Sequence, residues 1–143
     1  EIHYAIAGVG DKKGYLLDLA DSLGLSKQVH LLGYRKDIAE LNHSADVFCF
    51  PSFREGLGLA AIEGMSCGLP IVTSNVHGIN DYSENNVTGF KCNPEDSEGF
   101  AQAIQKLIEN PSMRDVMGKH NLMAVKKYNL ESIVALIKNI YIL

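Results

Sequence analysis

A run of residues from 51 to 63 combines charged side chains with glycines in a way that suits an anionic ligand. Arg54 and Glu55 follow a short apolar stretch, and Gly56 and Gly58 come directly before a helical pattern. Glycine lets the backbone approach a ligand closely, and the first N–H groups of a helix have no partner within the helix. The pattern therefore predicts a site for an anion such as a phosphate.

Two carboxylates in this run predict a second kind of contact. Glu63 follows Glu55 by eight residues, and a helix that starts near Gly58 would place Glu63 about one and a half turns in. A carboxylate accepts two hydrogen bonds side by side, which is how an acidic residue holds vicinal hydroxyls such as those of a ribose. The alternative for Glu63 is a helix glutamate that only faces solvent.

Two earlier segments also combine glycine with cations, namely residues 8–13 and residues 33–36. Each follows a short apolar run, as residues 51–58 do. The ordinary explanation is that glycines make turns and that lysine and arginine keep loops soluble. For residues 8–13 this explanation is favoured, because the segment lacks the full G-x-G-x-x-G pattern of a dinucleotide-binding loop.

The elements that position these segments alternate between short apolar strands and amphipathic helices. Strands are predicted at residues 2–7, 29–32, 47–50, 71–73 and 89–92, the last being the weakest. Helices are predicted from these apolar stripes: Leu16, Leu19, Ala20 and Leu23; Ile38, Leu41 and Ala45; Leu59, Ala60, Ala61, Ile62 and Met65; Phe100, Ala103, Ile104, Leu107 and Ile108; Met113, Val116, Met117 and His120; Ile133, Leu136, Ile137 and Ile140.

This order predicts one α/β domain with a Rossmann-like parallel sheet flanked by helices. Parallel strands need crossover connections, and the crossovers cover both faces of the sheet. A length of 143 residues fits a single domain with one core. Ligands of such sheets bind outside the carboxyl ends of the strands, so all three glycine-containing segments fall where a ligand is expected.

The composition excludes several classes of function. A formal net charge of −4 does not favour binding to the phosphate backbone of nucleic acid, so nucleic acid is not an expected partner. No apolar run approaches the roughly 20 residues that span a bilayer, and the start does not resemble a signal peptide. The three cysteines form no C-x-x-C pair, the five histidines are not grouped, and no Asp-x-Asp occurs. We therefore expect reduced thiols and no metal site.

The pattern around the two glutamates resembles the E-x7-E segment of GT-B glycosyltransferases, in particular the large retaining family 4. The matching residues are Pro51-Ser52-x-x-Glu55-Gly56-x-Gly58-Leu59-x-x-x-Glu63-x-Met65-x-x-Gly68-Leu69-Pro70-Ile71-Val72. Supporting pieces cover practically the whole chain in the expected order: Gly8-x-Gly10, Val29-x-Leu31-Leu32-Gly33-Tyr34, Ala45-Asp46-Val47, His77-Gly78 before Asp81, and Val87-Thr88-Gly89-Phe90.

The resemblance implies different roles for the two glutamates. Glu55 corresponds to the first motif glutamate, which faces the donor sugar near the reacting centre, and Glu63 to the second, which holds the donor ribose. The backbone N–H groups that donate hydrogen bonds to the sugar and the distal phosphate would be those of Gly56, Leu57, Gly58 and Leu59. The nucleobase would be seated, largely through backbone atoms, by Gly33, Tyr34 and Arg35.

Two departures from the family pattern affect these expectations. The usual G-G-x-x-E stretch appears as residues 77–81, His-Gly-Ile-Asn-Asp. The first βα unit of the family's domain, which carries an Arg and a Lys for the diphosphate, has no counterpart before Glu1, and the acceptor-binding N-terminal domain is absent. The resemblance thus describes residues 1–143 as an incomplete C-terminal donor domain, which we expect to be inactive alone and to bind donor weakly at best.

The implied function of the full-length protein is retaining, metal-independent transfer of a sugar from a UDP- or GDP-sugar to an acceptor hydroxyl. Polysaccharide or glycolipid synthesis is expected, with a glycan or lipid-linked acceptor bound by the N-terminal domain. A cytoplasmic location is expected, and peripheral association with the inner face of a membrane is left open. The alternatives are a non-catalytic nucleotide-binding α/β module and a GT-B epimerase or phosphorylase.

Overall fold

A computed structural model describes residues 1–141 of the chain. The contacts divide the chain into two compact units, Glu1–Ile38 and Ala39–Leu143. The first unit contains a strand, a helix and a strand: β1 (Tyr4–Ala7), α1 (Lys13–Ser22) and β2 (Val29–Gly33). β1 and β2 pair in parallel, with an irregularity in the register between Ile6 and Ala7.

The second unit begins with α2, whose bounds are Ile38–His43, and holds the larger part of the secondary structure. Its other elements are β3 (Phe48–Phe50), α3 (Leu59–Ser66), β4 (Ile71–Ser74), β5 (Gly89–Cys92), α4 (Ser97–Glu109), α5 (Pro111–Ala124) and α6 (Leu130–Tyr141). Two short 3₁₀ helices lie between them, His77–Asp81 after β4 and Val125–Tyr128 after α5.

The sheet of the second unit has the strand order β3-β4-β5, and both strand pairs are parallel. Every residue of the central strand β4 is buried, because helices cover it on both faces. Side chains alternate between the faces of a strand, so Ile71 and Val72 belong to two different cores. Ile71 packs with α3 residues such as Met65, and Val72 packs with α4 and α5 residues such as Leu107 and Met117.

Local signals explain where the helices after β5 begin. The Asp96 side chain accepts a hydrogen bond from the Gly99 N–H at 2.9 Å, and the Asn110 side chain accepts one from the Met113 N–H at 3.0 Å. Both are N-cap contacts that satisfy a backbone donor of the first turn. Pro111 occupies the first position of α5, where its missing N–H has no cost.

The parallel α/β fold flanked by helices is confirmed, and each predicted strand and helix is present. The described strands form two hydrogen-bonded ladders, of two and three strands, where the sequence predicted one sheet. The 3₁₀ helix His77–Asp81 was not predicted from its polar sequence. No helix among residues 1–141 combines the length and apolar character needed to cross a membrane.

Two apolar stripes differ from their predicted burial. In α5 the buried residues are Met117, Gly118 and Asn121, whereas Val116 is exposed. The reason is that the Asn121 amide donates to two backbone carbonyls, those of Leu69 at 2.7 Å and Thr88 at 2.9 Å, which turns this polar face inward. In α6 no residue is buried.

Candidate functional site

The loop between β3 and α3 and the 3₁₀ helix after β4 lie at the same edge of the three-stranded sheet. β3 and β4 are neighbours and run parallel, so their carboxyl ends meet at one edge. This is the edge at which parallel α/β sheets bind ligands. Residues 51–58, which include Glu55, therefore occupy the position that the sequence predicted for them.

Gly58 is the residue at which this loop becomes a helix. It has left-handed backbone angles, φ 74° and ψ 56°, and precedes α3 without a side-chain cap. A Cβ atom at this position would lie 2.6 Å from Tyr82 Oη, 3.0 Å from Phe50 Cε1 and 3.1 Å from Glu55 Cγ. Both the backbone angles and the three surrounding side chains require glycine here.

A second glycine joins the two loops at this edge. A Cβ atom added to Gly78, in the 3₁₀ helix, would overlap the carbonyl oxygen of Gly56. The two backbones are thus in direct contact, and no residue with a side chain fits at position 78 without moving the loop. The glycine that the family pattern places in this stretch therefore has a structural role, to let the 3₁₀ helix support the loop that carries Glu55.

Glu55 is half-buried in the loop, and its surroundings are polar on one side. Ser52 Oγ lies 3.5 Å from Glu55 Oε2 and donates to the Arg54 carbonyl at 3.1 Å. Within residues 1–141, Glu55 forms no ion pair, and the exposed side chain of Arg54 forms none either. The carboxylate is therefore available to a ligand at this edge.

Glu63 lies on the solvent side of α3. The buried residues of the helix are Ala61, Ile62, Gly64 and Met65, and Glu63 is exposed. No hydrogen bond or ion pair of its carboxylate occurs in the part of the chain that the structure describes. The structure does not bring Glu63 into contact with Glu55, and both glutamates remain open to a ligand.

The backbone N–H groups of residues 56–59 are the other predicted contacts. Gly56, Leu57, Gly58 and Leu59 find no protein acceptor among the described residues for these donors. Further along the helix, the N–H groups of Ala61 and Ile62 donate to the Gly58 carbonyl at 3.0 and 3.4 Å. The start of α3 thus presents several free donors beside a carboxylate, as an anion site at a helix N-terminus requires.

The predicted base-seating residues, Gly33, Tyr34 and Arg35, lie in the first unit, at the end of β2. Gly33 has a φ of 65°, and its carbonyl accepts a hydrogen bond from the Gly8 N–H at 2.8 Å. The Tyr34 side chain is 72% exposed. Arg35 forms a two-pronged ion pair with Asp37, a contact that the sequence analysis did not predict. The hydrogen bond from Arg35 holds the pKa of Asp37 below its usual value.

Tyr82 and Phe50 are the site residues that sequence reasoning missed. Neither carries a motif signal: Phe50 is an ordinary apolar strand residue, and Tyr82 reaches Gly58 from 24 residues further along the chain. Burial, and after it the charge of Glu55, raises the pKa of the Tyr82 hydroxyl. The phenol therefore stays protonated and acts as a hydrogen-bond donor at neutral pH.

Two cavities of the second unit are not lined by residues 51–63. One of about 410 Å³ is bordered by Tyr82, Lys91, His120 and Lys127 among others, and one of about 310 Å³ by Asn42, Asp46 and Arg114 among others. Both combine acidic and basic side chains and neither includes Glu55 or Glu63. Among residues 1–141 there is no group of three or more His, Cys, Asp or Glu side chains suited to a metal ion.

Comparison with known proteins identifies the family to which the chain is similar. Residues 1–122 match the family model described as glycosyl transferases group 1. An uncharacterized glycosyltransferase of Haemophilus influenzae is 31% identical over 130 residues, which are 90% of this chain and 37% of that protein. The UDP-Gal:alpha-D-GlcNAc-diphosphoundecaprenol alpha-1,3-galactosyltransferase of Escherichia coli is 31% identical over 140 residues, 97% of this chain and 36% of the relative.

Solved structures of similar fold include one with a bound nucleotide. Anabaena Alr3699/HepE in complex with UDP superposes with a TM-score of 0.90 at 25% identity, covering 98% of this chain and 40% of that one. The same protein in complex with UDP-glucose gives a TM-score of 0.88. This chain therefore spans well under half the length of the relatives that it matches.

Proposed function

Because the chain belongs to the glycosyl transferases group 1 family, we propose that it is the donor-binding part of a retaining GT-B glycosyltransferase of the family 4 type. In the full-length protein, this part binds a nucleotide sugar, and a further domain binds the acceptor. One observation carries the proposal: a half-buried Glu55, without an ion pair among residues 1–141, lies in the loop before a helix whose first N–H groups have no acceptor in the described chain.

The chemistry of sugar transfer explains why this arrangement suits the reaction. A departing nucleoside diphosphate gains negative charge, and free N–H groups at a helix N-terminus stabilise such charge. The sugar gains positive, oxocarbenium-like character, and a nearby carboxylate stabilises it. We therefore assign residues 56–59 to the sugar and the distal phosphate, and Glu55 to the support and orientation of the sugar, without a covalent intermediate.

The nucleoside end of the donor is assigned to the remaining predicted residues. Glu63, exposed and unpaired on α3, is proposed to accept hydrogen bonds from the ribose hydroxyls. Gly33, Tyr34 and Arg35 are proposed to seat the base mainly through backbone atoms. UDP is the preferred nucleotide in this proposal, because Alr3699/HepE was solved with UDP and UDP-glucose; GDP is the alternative.

The biosynthetic setting follows from the relatives. The Escherichia coli relative is named as a galactosyltransferase that acts on a diphosphoundecaprenol-linked sugar. We propose a lipid-linked or glycan acceptor and a role in polysaccharide or glycolipid synthesis, in the cytoplasm or at the inner face of the membrane. We also propose that transfer needs no metal, and that the 143-residue chain alone is inactive, because one domain cannot orient both substrates.

The test uses the full-length protein and a panel of UDP-, GDP- and ADP-sugars. A donor that binds only the folded protein raises its thermal midpoint, and this identifies the nucleotide. With that donor, Glu55→Gln is expected to lower kcat by about 10²-fold, the size of lost charge stabilisation at a reacting centre. Glu63→Ala is expected to raise the donor KM about tenfold while kcat changes little.

Glu95→Gln provides a matched control, since Glu95 is exposed and its carboxylate forms no hydrogen bond or ion pair within residues 1–141. If Glu55→Gln and Glu63→Ala both kept the wild-type kcat/KM, the proposed roles would be wrong. Donor binding without transfer to any acceptor would favour the non-catalytic module. Sugar conversion without an acceptor would indicate an epimerase, and consumption of orthophosphate would indicate a phosphorylase. The anomeric configuration of the product, determined by NMR, tests retention.

A further inference from the structure

Tyr82 follows the 3₁₀ helix after β4 and is 7% exposed. Its ring packs edge-on against the ring of Tyr128, with centroids 6.5 Å apart and an interplanar angle of 88°. Its hydroxyl donates to the carbonyl of Gly58 at 3.4 Å. The residue therefore connects the buried core of the second unit with Gly58, the residue directly before the helix at the candidate site.

The carbonyl oxygen of Gly58 helps to set the direction in which α3 starts. It accepts the hydrogen bonds of the Ala61 and Ile62 N–H groups, which form the first turn of the helix. The Tyr82 hydroxyl is a third donor to the same oxygen. This oxygen belongs to the residue at which the loop passes into the helix. A hydrogen bond from the buried Tyr82 hydroxyl to it therefore fixes the position of the free N–H groups of residues 56–59.

The contacts around Gly58 extend this constraint to Glu55. Tyr82 Oη, Phe50 Cε1 and Glu55 Cγ surround the same side of the glycine, at 2.6 to 3.1 Å from the position of a Cβ atom. Glu55 thus packs against the glycine that Tyr82 holds. A shift of Gly58 would move the carboxylate as well as the helix start.

We infer that Tyr82 is a positioning residue of the donor site, whose hydroxyl fixes Gly58 and thereby orients Glu55 and the first N–H groups of α3. This inference rests on the proposed function, since it assigns Tyr82 to the same nucleotide-sugar site. The hydroxyl touches no substrate in this proposal. It acts by keeping the carboxylate and the N–H donors in one arrangement, on which reaction rate depends strongly.

The experiment must distinguish this positioning role of the Tyr82 hydroxyl from a purely structural role of the Tyr82 side chain. The ring of Tyr82 belongs to the core formed by Ile71, Ile79 and Met65, so removal of the whole side chain would destabilise the protein. Tyr82→Phe keeps the ring and removes only the hydroxyl. Tyr128→Phe is the matched control, because it removes a hydroxyl from the other ring of the same pair, and that hydroxyl makes no hydrogen bond in the described chain.

The first measurement is a double-mutant cycle in the full-length protein with the donor identified by thermal shift. Tyr82→Phe is expected to lower kcat/KM about fivefold, mainly through kcat, as the loss of one hydrogen bond would do. In the Glu55→Gln background the same change is expected to cost less than about twofold, because the group that Tyr82 orients is already disabled. Equal losses in both backgrounds, or no loss in either, would overturn the inference.

The second measurement does not depend on activity. Hydrogen exchange of the Ala61 and Ile62 amides, which donate to the Gly58 carbonyl, is expected to become faster in Tyr82→Phe and to stay at the wild-type rate in Tyr128→Phe. An unchanged rate in Tyr82→Phe would show that the hydroxyl does not hold the loop. If no nucleotide sugar bound the protein, the proposed function would fail, and the exchange rates would still decide whether Tyr82 fixes this segment.

Discussion

Two regions carry the residues assigned to the donor, and they differ in how their side chains are buried. In Glu1–Ile38, Ala20 is the only buried residue, and apolar side chains such as Tyr4, Leu17 and Leu19 are exposed. In the second unit, both faces of β4 are covered and two apolar clusters form. A single crossover helix covers one face of a strand pair, whereas helices on both faces enclose a strand fully.

This difference separates two ways of building a binding site. Glu55 and the start of α3 are fixed by packed neighbours such as Phe50 and Tyr82, so their geometry depends on the core. Tyr34 and Arg35 lie at a strand end where backbone hydrogen bonds and a local ion pair supply the order. Reaction chemistry needs accurate placement, whereas a base can be seated by backbone atoms.

The largest expected effect comes from the same substitution made in both regions. Leu107 is fully buried in the second unit, and Leu17 of α1 is 47% exposed. Leu107→Ala is expected to lower the free energy of unfolding by about 3 kcal/mol, from lost burial and the cavity that remains. Leu17→Ala should cost no more than about 0.5 kcal/mol. Urea unfolding of the 143-residue chain measures both, and equal costs would show that the first region has a core of its own.

The second comparison uses glycines. Gly78 contacts the Gly56 carbonyl, whereas Gly14 in α1 has open space around it. Gly78→Ala should destabilise the protein by about 2 kcal/mol, as overpacking does. Gly14→Ala should stabilise it by about 0.5 to 1 kcal/mol, because alanine is the better helix former. Thermal unfolding of both variants checks the signs, and a neutral Gly78→Ala would mean that the loop moves freely away from the 3₁₀ helix.

The third comparison concerns the donor. Titration of the full-length protein with UDP is expected to show about tenfold weaker binding for Glu63→Ala, or about 1.4 kcal/mol. Tyr34→Ala should change the dissociation constant by less than about threefold, since the base is proposed to bind backbone atoms and stacking of an exposed ring contributes modestly. A larger loss for Tyr34→Ala would assign the ring, and with it the first region, a direct role in binding.

Much of this fold is predictable because its strands are short apolar runs and its helices carry regular stripes. The predicted strand at residues 89–92 matches β5, and the stripe of Phe100, Ala103 and Leu107 is the buried face of α4. The buried face of α5 was predictable only in part, because Met117 belongs to the predicted stripe and Asn121 does not. Asn121 is inside because its amide binds two backbone carbonyls, and hydrophobic periodicity does not register such a contact.

The residues of the candidate site likewise divide into those that local sequence patterns predict and those that depend on contacts between distant segments. Glu55, Gly58 and Glu63 follow from spacing, because a strand, a glycine-containing loop and a helix are local features. The contacts of Tyr82 with Gly58 and of Gly78 with Gly56 join segments more than twenty residues apart. They depend on how the loops after β3 and β4 pack, which no local pattern specifies.

The smallest effect is expected for the ion pair between Arg35 and Asp37 at the end of the first unit. Its hydrogen bond lowers the pKa of Asp37, so the folded protein favours the carboxylate. A lowered pKa stabilises the fold at pH values above the pKa of the unfolded state, which is about 3.9. This stabilisation is lost as the pH falls through the lower pKa of the folded state. Because the pair is exposed, screening by water and salt leaves it little net effect.

Asp37→Asn should therefore match the wild-type urea midpoint within error at pH 7, and still match it below pH 3. A clear difference at pH 7 that disappears on acidification would instead mean that this pair, rather than apolar burial, holds the base-seating segment in place.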